Sequence, residues 1–486
     1  MFASIANTFT NCFKIPELKS RILFTAAVLA ICRLIAFVRI PGLDGLELTK
    51  FFERSAGGGG GVLGMYSLFT GGALEHCAIG ALGIMPYISA TIIIQLLTAV
   101  VPQLSKLARE EGGRAKIVQY GRYGTLLLCL GQGLAMAIGW ENPTKIFGEG
   151  IGRLVLYSDS YIWWYRIQTV LVLTTGTMLL MWLGEQITER GVGNGISLLI
   201  FAGIVIGLPR GVQQVMGRVS SGDTLEILGV IAMVLALVAI IAFIVFVEAA
   251  RRKIPVSYAK RHVGRQLVGG QQTTMPLKLN MGGVIPVIFA SSVLSMPQSL
   301  FSAFPPKNPG NWYGKIFAFF QLFHAGDPYY ELIFISLIIF FTFFYVSIVF
   351  NVEEVADNLR KHGGFMPGIR PGRATAEYLN TILTRLTTVG AIYLAMVAFF
   401  PQFMLSGYKV ARLPLIGTWL DSFVSTTPGL SWIPTGMNYQ FYFGGTSLLI
   451  LVGVAMDTVA QIEAQLVMRN YEGFLGGGGR LRGRRT

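Results

Sequence analysis

Ten apolar runs, each about long enough to cross a bilayer, limit what this chain can become. They lie at about Arg21–Val38, Glu75–Val100, Val118–Ile138, Arg166–Ile187, Ile196–Met216, Leu225–Ala249, Gly282–Leu300, Leu332–Phe350, Tyr378–Phe400 and Tyr442–Val467. A helix needs roughly 20 apolar residues to span the hydrocarbon, and in lipid every backbone N–H and C=O must find a partner inside protein. The runs therefore predict an all-α, polytopic membrane protein with ten transmembrane helices. Charge usage agrees: 13% of residues are charged, against about 25% in soluble domains. Met1–Ser20 lacks the apolar region and small-residue cleavage site of a secretory leader. Cys12, Cys32, Cys77 and Cys129 show no pair spacing, so free thiols are expected, with neither disulfide nor metal.

An even number of spans places both termini on one side. Counted loop by loop, that side carries 26 Lys and Arg and the other 12, while Arg33, inside the first span, completes the 39. Positive loops stay in the cytoplasm, so both termini are expected there, in a multi-pass protein of the cell inner membrane. The chain divides into an N-terminal segment 1–20, a first half 21–216 with spans one to five, and a second half 217–467 with spans six to ten. A basic flexible tail, 468–486, closes it; this tail is expected to lie against anionic lipid. The second half holds two long cytoplasmic loops, 251–281 and 351–377.

Spans two and seven are broken in the same way. Gly71-Gly72 and Pro86 interrupt the stretch Met65–Leu97, and Gly282-Gly283, Pro286 and Pro297 interrupt span seven. Gly costs about 1 kcal/mol and Pro about 3 kcal/mol in a helix interior. The expectation is a half-helix at about Val62–Phe69, a hinge at Gly71-Gly72 and a longer helix from Glu75 to Val100; a span merely kinked against its neighbours is the alternative. Interrupted segments at matching places in two halves suggest inverted repeats with the functional path between them. This rests on break positions and span count, without a strong residue-level repeat.

Motifs for dedicated chemistry are missing. His76, His262, His324 and His362 have no metal-ligand spacing, and no G-x-S-x-G elbow occurs. Gly191-Val192-Gly193-Asn194-Gly195 has no preceding strand and no following Lys-Ser/Thr, so it reads as a turn, with Asn194 or Ser197 capping the next helix. Arg33 and Asp457 are the chief ionisable residues inside spans, fewer than an ion-coupled transporter shows. Arg33 is expected to face the bundle interior as a structural residue. The two long loops carry Arg251, Arg252, Lys260, Arg261 and Arg265, and Arg360, Lys361, Arg370 and Arg373. Charge near span ends follows from topology alone. Loops in which Pro and Gly fix exposed Arg look more like docking surfaces for an anionic partner.

The segments GGALEHCAIGALGIMPYISATIIIQLL, MWLGEQITERGVGNGISLLIFAGI, NMGGVIPVIFASS, NVEEVADNLRKHGGFMPGIRPG and FYFGGTSLLILVGVAMD resemble, in order, those of the bacterial SecY family, channel subunits of the Sec protein-translocation complex. The glycine run Gly57–Gly61, the loop Trp140–Tyr161 and the external stretch Gln402–Asn438 depart from the family pattern. The resemblance implies a clamshell of two inverted, pseudo-symmetric halves, bound by SecE and SecG, engaged by the SecA motor and the ribosome, and passing secretory preproteins and membrane-protein segments. It implies a plug at about 62–74, here Val62, Met65, Phe69, Gly71 and Gly72. It implies a pore ring of Ile84, Ile88, Ile196, Ile200, Ile288 and Ile450, whose branched apolar side chains would keep a constriction dry. It implies a lateral gate between spans two and seven, with Ser89, Thr91, Gln95, Asn194, Ser197, Ser291, Ser292 and Met296. Arg265 and Arg370 match the basic tips on which SecA and the ribosome dock.

The expected function is a protein-conducting channel that translocates unfolded secretory polypeptides and releases apolar segments sideways into membrane lipid. It is not expected to be an enzyme or to need a cofactor. An inverted-repeat transporter of small solutes would want a charged midplane cluster, and an intramembrane hydrolase a nucleophile–base or diacid pair.

Overall fold

The structure, a computed structural model, describes residues 15–55, 67, 70–110, 112–143, 151–157, 159–219, 224–258, 261–263, 266–268, 272–303, 311–312, 314–315, 317, 327–406 and 445–476. Its helices are α1 (Pro16–Ile35), α2 (Gly45–Ser55), α3 (Met85–Val100), α4 (Pro102–Arg109), α5 (Gly113–Glu141), α6 (Ile162–Arg190), α7 (Gly195–Val219), α8 (Thr224–Ala249), α9 (Ile285–Ala303), α10 (Pro328–Val349), α11 (Val352–Lys361), α12 (Arg373–Ser406) and α13 (Gly445–Gly476). Each expected span falls on one of ten long helices, α1, α3, α5 to α10, α12 and α13. Among the described residues seven are apolar and long enough to cross a membrane alone, eight if α3 and α4, bent by 103°, count as one broken span. α1 is more polar because it carries Glu17, Lys19, Arg21 and Arg33. The last helix continues through Gly476, past the start of the expected tail.

Span two differs from the sequence expectation. Residues Thr70–Ile84 are turns, and the helix begins only at Met85. Gly71 (φ 64°), Gly72 (φ 82°), Cys77 (φ 47°) and Gly83 (φ 59°) occupy the left-handed region, which no continuous right-handed helix tolerates. The stretch is nearly all buried, so its backbone groups are satisfied by turn bonds, such as Ala78 N–H to the Ala73 carbonyl at 2.9 Å, and by a bridge between Arg39 and Ala78. Pro86 does not interrupt a helix at all. It occupies the first turn of α3, where its missing N–H costs nothing.

A residue-level repeat surfaces here that the sequence reading lacked. Gly83-Ile84-Met85-Pro86 and Gly283-Val284-Ile285-Pro286 have the same build: a positive-φ glycine (59° and 58°), then a helix with Pro at its second position. The first α-helical bonds match as well, Ile88 N–H to Ile84 O at 3.2 Å and Ile288 N–H to Val284 O at 3.3 Å. Ten spans crossing a membrane in alternation would set the second and seventh, α3 and α9, antiparallel.

Three of the five buried clusters among the described residues are large. The largest joins both halves, drawing on α1, α3, α6 to α10, α12 and α13. A second, around Leu48, Trp140, Leu154 and Tyr165, packs the α1–α2 connection and residues 151–157 onto α5 and α6. There Glu141 and Arg166 close a bidentate pair at 2.6 and 2.8 Å. The third lies under the two long basic loops, which carry strands the sequence reading did not assign. Strands β1 (Arg251–Tyr258), β2 (Arg261–Val263), β3 (Gln266–Val268) and β4 (Gln272–Lys278) form two hairpin ladders. β5 (Gly364–Phe365), from the second loop, adds to β1 in the order β4-β1-β5. Ile254, Leu277 and Met366 are buried beneath this sheet against Leu379 and Ile382 of α12.

Candidate functional site

The family-derived isoleucines come together. Ile84, Ile88, Ile200, Ile288 and Ile450 are buried in one cluster, and Ile196 packs on it half-buried. They arrive from four helix starts: the Gly83–Met85 turn and α3, α7, the matching turn and α9, and α13. Such a collar offers water and ions no hydrogen bond. α13 brings Ile450 inward because Gly453 accepts Val284 at a distance where a Cβ would lie 2.3 Å from its Cγ1.

α3 and α9 pack side by side, about 200 positions apart in sequence. The Ser292 hydroxyl lies 4.0 Å from Met85 Sδ, a direct contact across this seam. Several of the seam hydroxyls turn back onto their own helix. Thr91 donates to Tyr87 O at 2.8 Å, Ser291 to Ile288 O at 2.9 Å and Ser292 to Ile288 O at 2.8 Å. Ser89 is buried on α3 and Gln95 half-buried one turn from its end. Met296 lies on α9, its side chain outside the described residues.

Asn194 and Ser197 belong to the α6–α7 turn. Asn194 is exposed and caps α7, its Oδ1 accepting from Ile196 N–H at 3.2 Å; Ser197 is half-buried in the first turn. This glycine-rich turn is pinned by three helices. Thr25 of α1 accepts from Val192 N–H at 3.0 Å, Thr188 of α6 from Gly195 N–H at 2.9 Å, and Gln461 of α13 from Gly193 N–H at 3.1 Å.

Of the plug residues, Gly71 and Gly72 lie in the turn before α3, while Val62, Met65 and Phe69 lie outside the described residues. The Arg33 guanidinium donates to the Gly71 carbonyl and sits 4.8 Å from the Phe37 ring centre.

The basic residues cluster on the sheet side. Arg251 and Arg252 open β1, exposed, across from Lys278 and Leu277. Arg261 begins β2; Lys260 and Arg265 lie outside the described residues. Arg360 and Lys361 end α11, which Asn351 caps by accepting from Glu354 N–H at 3.4 Å. Acidic Glu353 and Glu354 at its start and these cations at its end both suit the helix dipole. Arg370 projects from a stiff loop between Gly368 (φ 81°) and Gly372 (φ 108°), its carbonyl held by Thr375 Oγ1 at 2.9 Å. Arg373 pairs with Glu377 at 3.4 Å.

Sequence reasoning missed the polar group at the root of α9. Lys278, the last residue of β4, meets Asp457 of α13 at 2.9 Å, and Asn280 donates to Glu248 of α8 at 2.7 Å and to Gly283 O at 3.1 Å. The spacing of Asp457 from Ile450, two helical turns on one face, was the available signal.

Residues 78–459 match the SecY family. The chain is 44% identical over 460 residues to protein translocase subunit SecY of Escherichia coli strain K12, covering 94% of each chain. Its fold resembles a solved SecY described as having a plug domain that stabilises the closed state of the translocation channel and maintains a membrane seal (TM-score 0.60, 16% identity, 92% of each chain). It also resembles Sec61 in the canine ribosome–channel complex from the endoplasmic reticulum (TM-score 0.55, 16% identity, 92% of each chain).

Proposed function

The chain belongs to the SecY family and is a protein-conducting channel subunit rather than an enzyme, and from that premise we propose how its own residues conduct. Unfolded polypeptide passes through the collar of Ile84, Ile88, Ile196, Ile200, Ile288 and Ile450, and apolar segments leave between α3 and α9. The observation that carries this is the convergence of those isoleucines, from both halves, in one buried cluster beside the α3–α9 seam. Branched apolar side chains part around a chain and close again without leaving a polar group unsatisfied. The seam is held by dispersion and a thioether–hydroxyl contact, because its hydroxyls are satisfied within their own helices. An arriving apolar segment therefore replaces like with like. Even true hydrogen bonds between membrane helices contribute only about 0.6 kcal/mol on average.

The sheet β4-β1-β5, with Arg251, Arg252, Arg360, Lys361 and Arg370 around it, suits an anionic docking partner. SecA and the ribosome are the proposed occupants, with SecE and SecG as companion subunits. The 26 Lys and Arg on this side support the reading that it and both termini face the cytoplasm, with the channel in the cell inner membrane. The solute-transporter alternative is not favoured, since the relatives are protein translocase subunits.

Proteoliposomes holding the chain with SecE and SecG, given SecA, ATP and a presecretory protein, test the reading. Substrate protected from external protease is the expected result. Solute uptake with no protected substrate would overturn it.

A further inference from the structure

We propose that Arg33 is a positioning residue for the resting seal: its guanidinium holds the Gly71 carbonyl and so fixes the turn through which the plug segment joins α3. The proposal deepens the channel reading and rests on it. Arg33 lies two residues from the end of α1, inside an apolar span, where an ionisable side chain is retained only with a partner. Here one partner is a main-chain oxygen of the turn that must stay in place for the collar to stay shut, with the Phe37 ring beneath the cation at 4.8 Å. The fit is close. A Cβ on Gly71 would stand 3.1 Å from Arg33 Nη1 and 3.2 Å from the Gly203 Cα of α7. Only glycine, also supplying φ 64°, lets the two backbones and the guanidinium meet.

Beside this contact is a cavity of about 70 Å3, bounded by Leu29 and Cys32 of α1, the Thr70–Ile84 turns, Leu180 of α6 and Leu199 of α7. Its lining includes Ile84 of the collar, so the cation sits one shell behind the constriction. If the turn withdraws while the collar is shut, the guanidinium loses this charge-assisted hydrogen bond. Withdrawal is therefore disfavoured until an arriving polypeptide supplies a compensating gain. Arg33 in this role biases the resting state without touching the substrate.

The test measures ion conductance of single complexes in planar bilayers, beside SecA-driven transport of a presecretory protein. Arg33→Met should raise the resting open time about tenfold, the lower end of what loss of a charge-assisted hydrogen bond gives, while substrates with intact signals still cross. Arg33→Lys keeps one donor and should restore most of the seal. Gly71→Ala displaces the guanidinium and should leak like Arg33→Met, and the double variant should leak no more than either single one. Gly72→Ala is the strain control: Gly72 also has positive φ (82°), but an added Cβ meets nothing within 4 Å, so its seal should stay tighter than that of Gly71→Ala. Arg33→Met sealing as the natural protein does overturns the proposal, and so do leaks that multiply in the double variant. Should Arg33→Met fail to assemble, a wild-type seal in Gly71→Ala overturns it equally. Failure of the natural protein to transport at all would instead sink the channel reading, which the same experiment reports separately.

Discussion

Ile88 and Ile450 have almost no accessible surface, 5% and 0%, and both belong to the largest apolar cluster. Asn at either position puts an amide where no partner waits, at a cost of about 1–3 kcal/mol for an unsatisfied buried polar group. That cost falls on the shut collar alone, because in the conducting state water reaches the amide. Ile88→Asn and Ile450→Asn should therefore leak ions on the order of tenfold more and accept substrates with defective signals. Wild-type conductance in both, with the protein intact, would reduce these side chains to ordinary packing. Arg370 is the converse case. It is exposed, buttressed by Gly368, Pro371 and the Thr375 bond, and contributes little to the fold. Arg370→Glu should leave assembly and thermal stability unchanged and abolish SecA-driven transport, since a guanidinium fork that suits carboxylate or phosphate becomes a like charge. Transport at the normal rate would remove Arg370 from the docking surface.

The elements show where a sequence can be read and where it cannot. Ten apolar runs gave ten helices because burial in lipid leaves a chain no other regular option. The long helix expected from Glu75 did not follow, since it starts at Met85; the half-helix expected at about Val62–Phe69 lies almost wholly outside the described residues. A stretch already buried by its neighbours can spend its backbone bonds on turns, and whether Gly83 closes a turn or sits in a helix depends on those neighbours. The strands within the basic loops were not read because charge dominates 251–258 and hides the alternation that buries Ile254 and Val256. Both loops turn out to share one small core, so Ile254→Asp should loosen them together. A lone buried carboxylate costs several kcal/mol, and limited proteolysis should then cut near 251–278 and near 364–372 alike. Cutting in the first loop only would mean that the β5–β1 pairing does not tie them. The seam between α3 and α9 admits a sharper test. With α3 and α9 antiparallel, as alternating spans would set them, the Met85–Ser292 contact brings Ser89 toward Ile288. With the native cysteines replaced, one cysteine at Met85 or Ser89 and another at Ile288 or Ser292 should bridge on oxidation in at least one pairing, which requires Cα atoms within about 7 Å. The bridge should stop transport, and reduction should restore it. A bridged channel that works normally would show that the seam need not part.

At the scale of the whole molecule, one short connection joins the proposed docking sheet to the proposed collar. β4 ends at Lys278, clasped to Asp457 of α13; Asn280 ties the same connection to α8; and Gly283 starts the turn into α9, whose Ile288 lies in the same buried cluster as Ile88. This layout makes functional sense only if the sheet faces the compartment where substrates are made, so orientation is the premise on which the rest depends. The charge asymmetry argues for it: with a net charge of +14 concentrated on one side, inversion would require many Lys and Arg to cross the bilayer near span ends. The two faces can be told apart chemically. In a cysteine-free background, Gly368→Cys sits in an exposed loop of the sheet side, where no atom lies within 4 Å of a Cβ placed there. Gly152→Cys sits on the other side, exposed between α5 and α6. A membrane-impermeant maleimide added to intact spheroplasts should label Gly152→Cys and spare Gly368→Cys, and inverted membrane vesicles should reverse the pattern. If Gly368→Cys is labelled from outside intact cells, the sheet is external. The docking role of Arg370 and the route from sheet to collar then fall together.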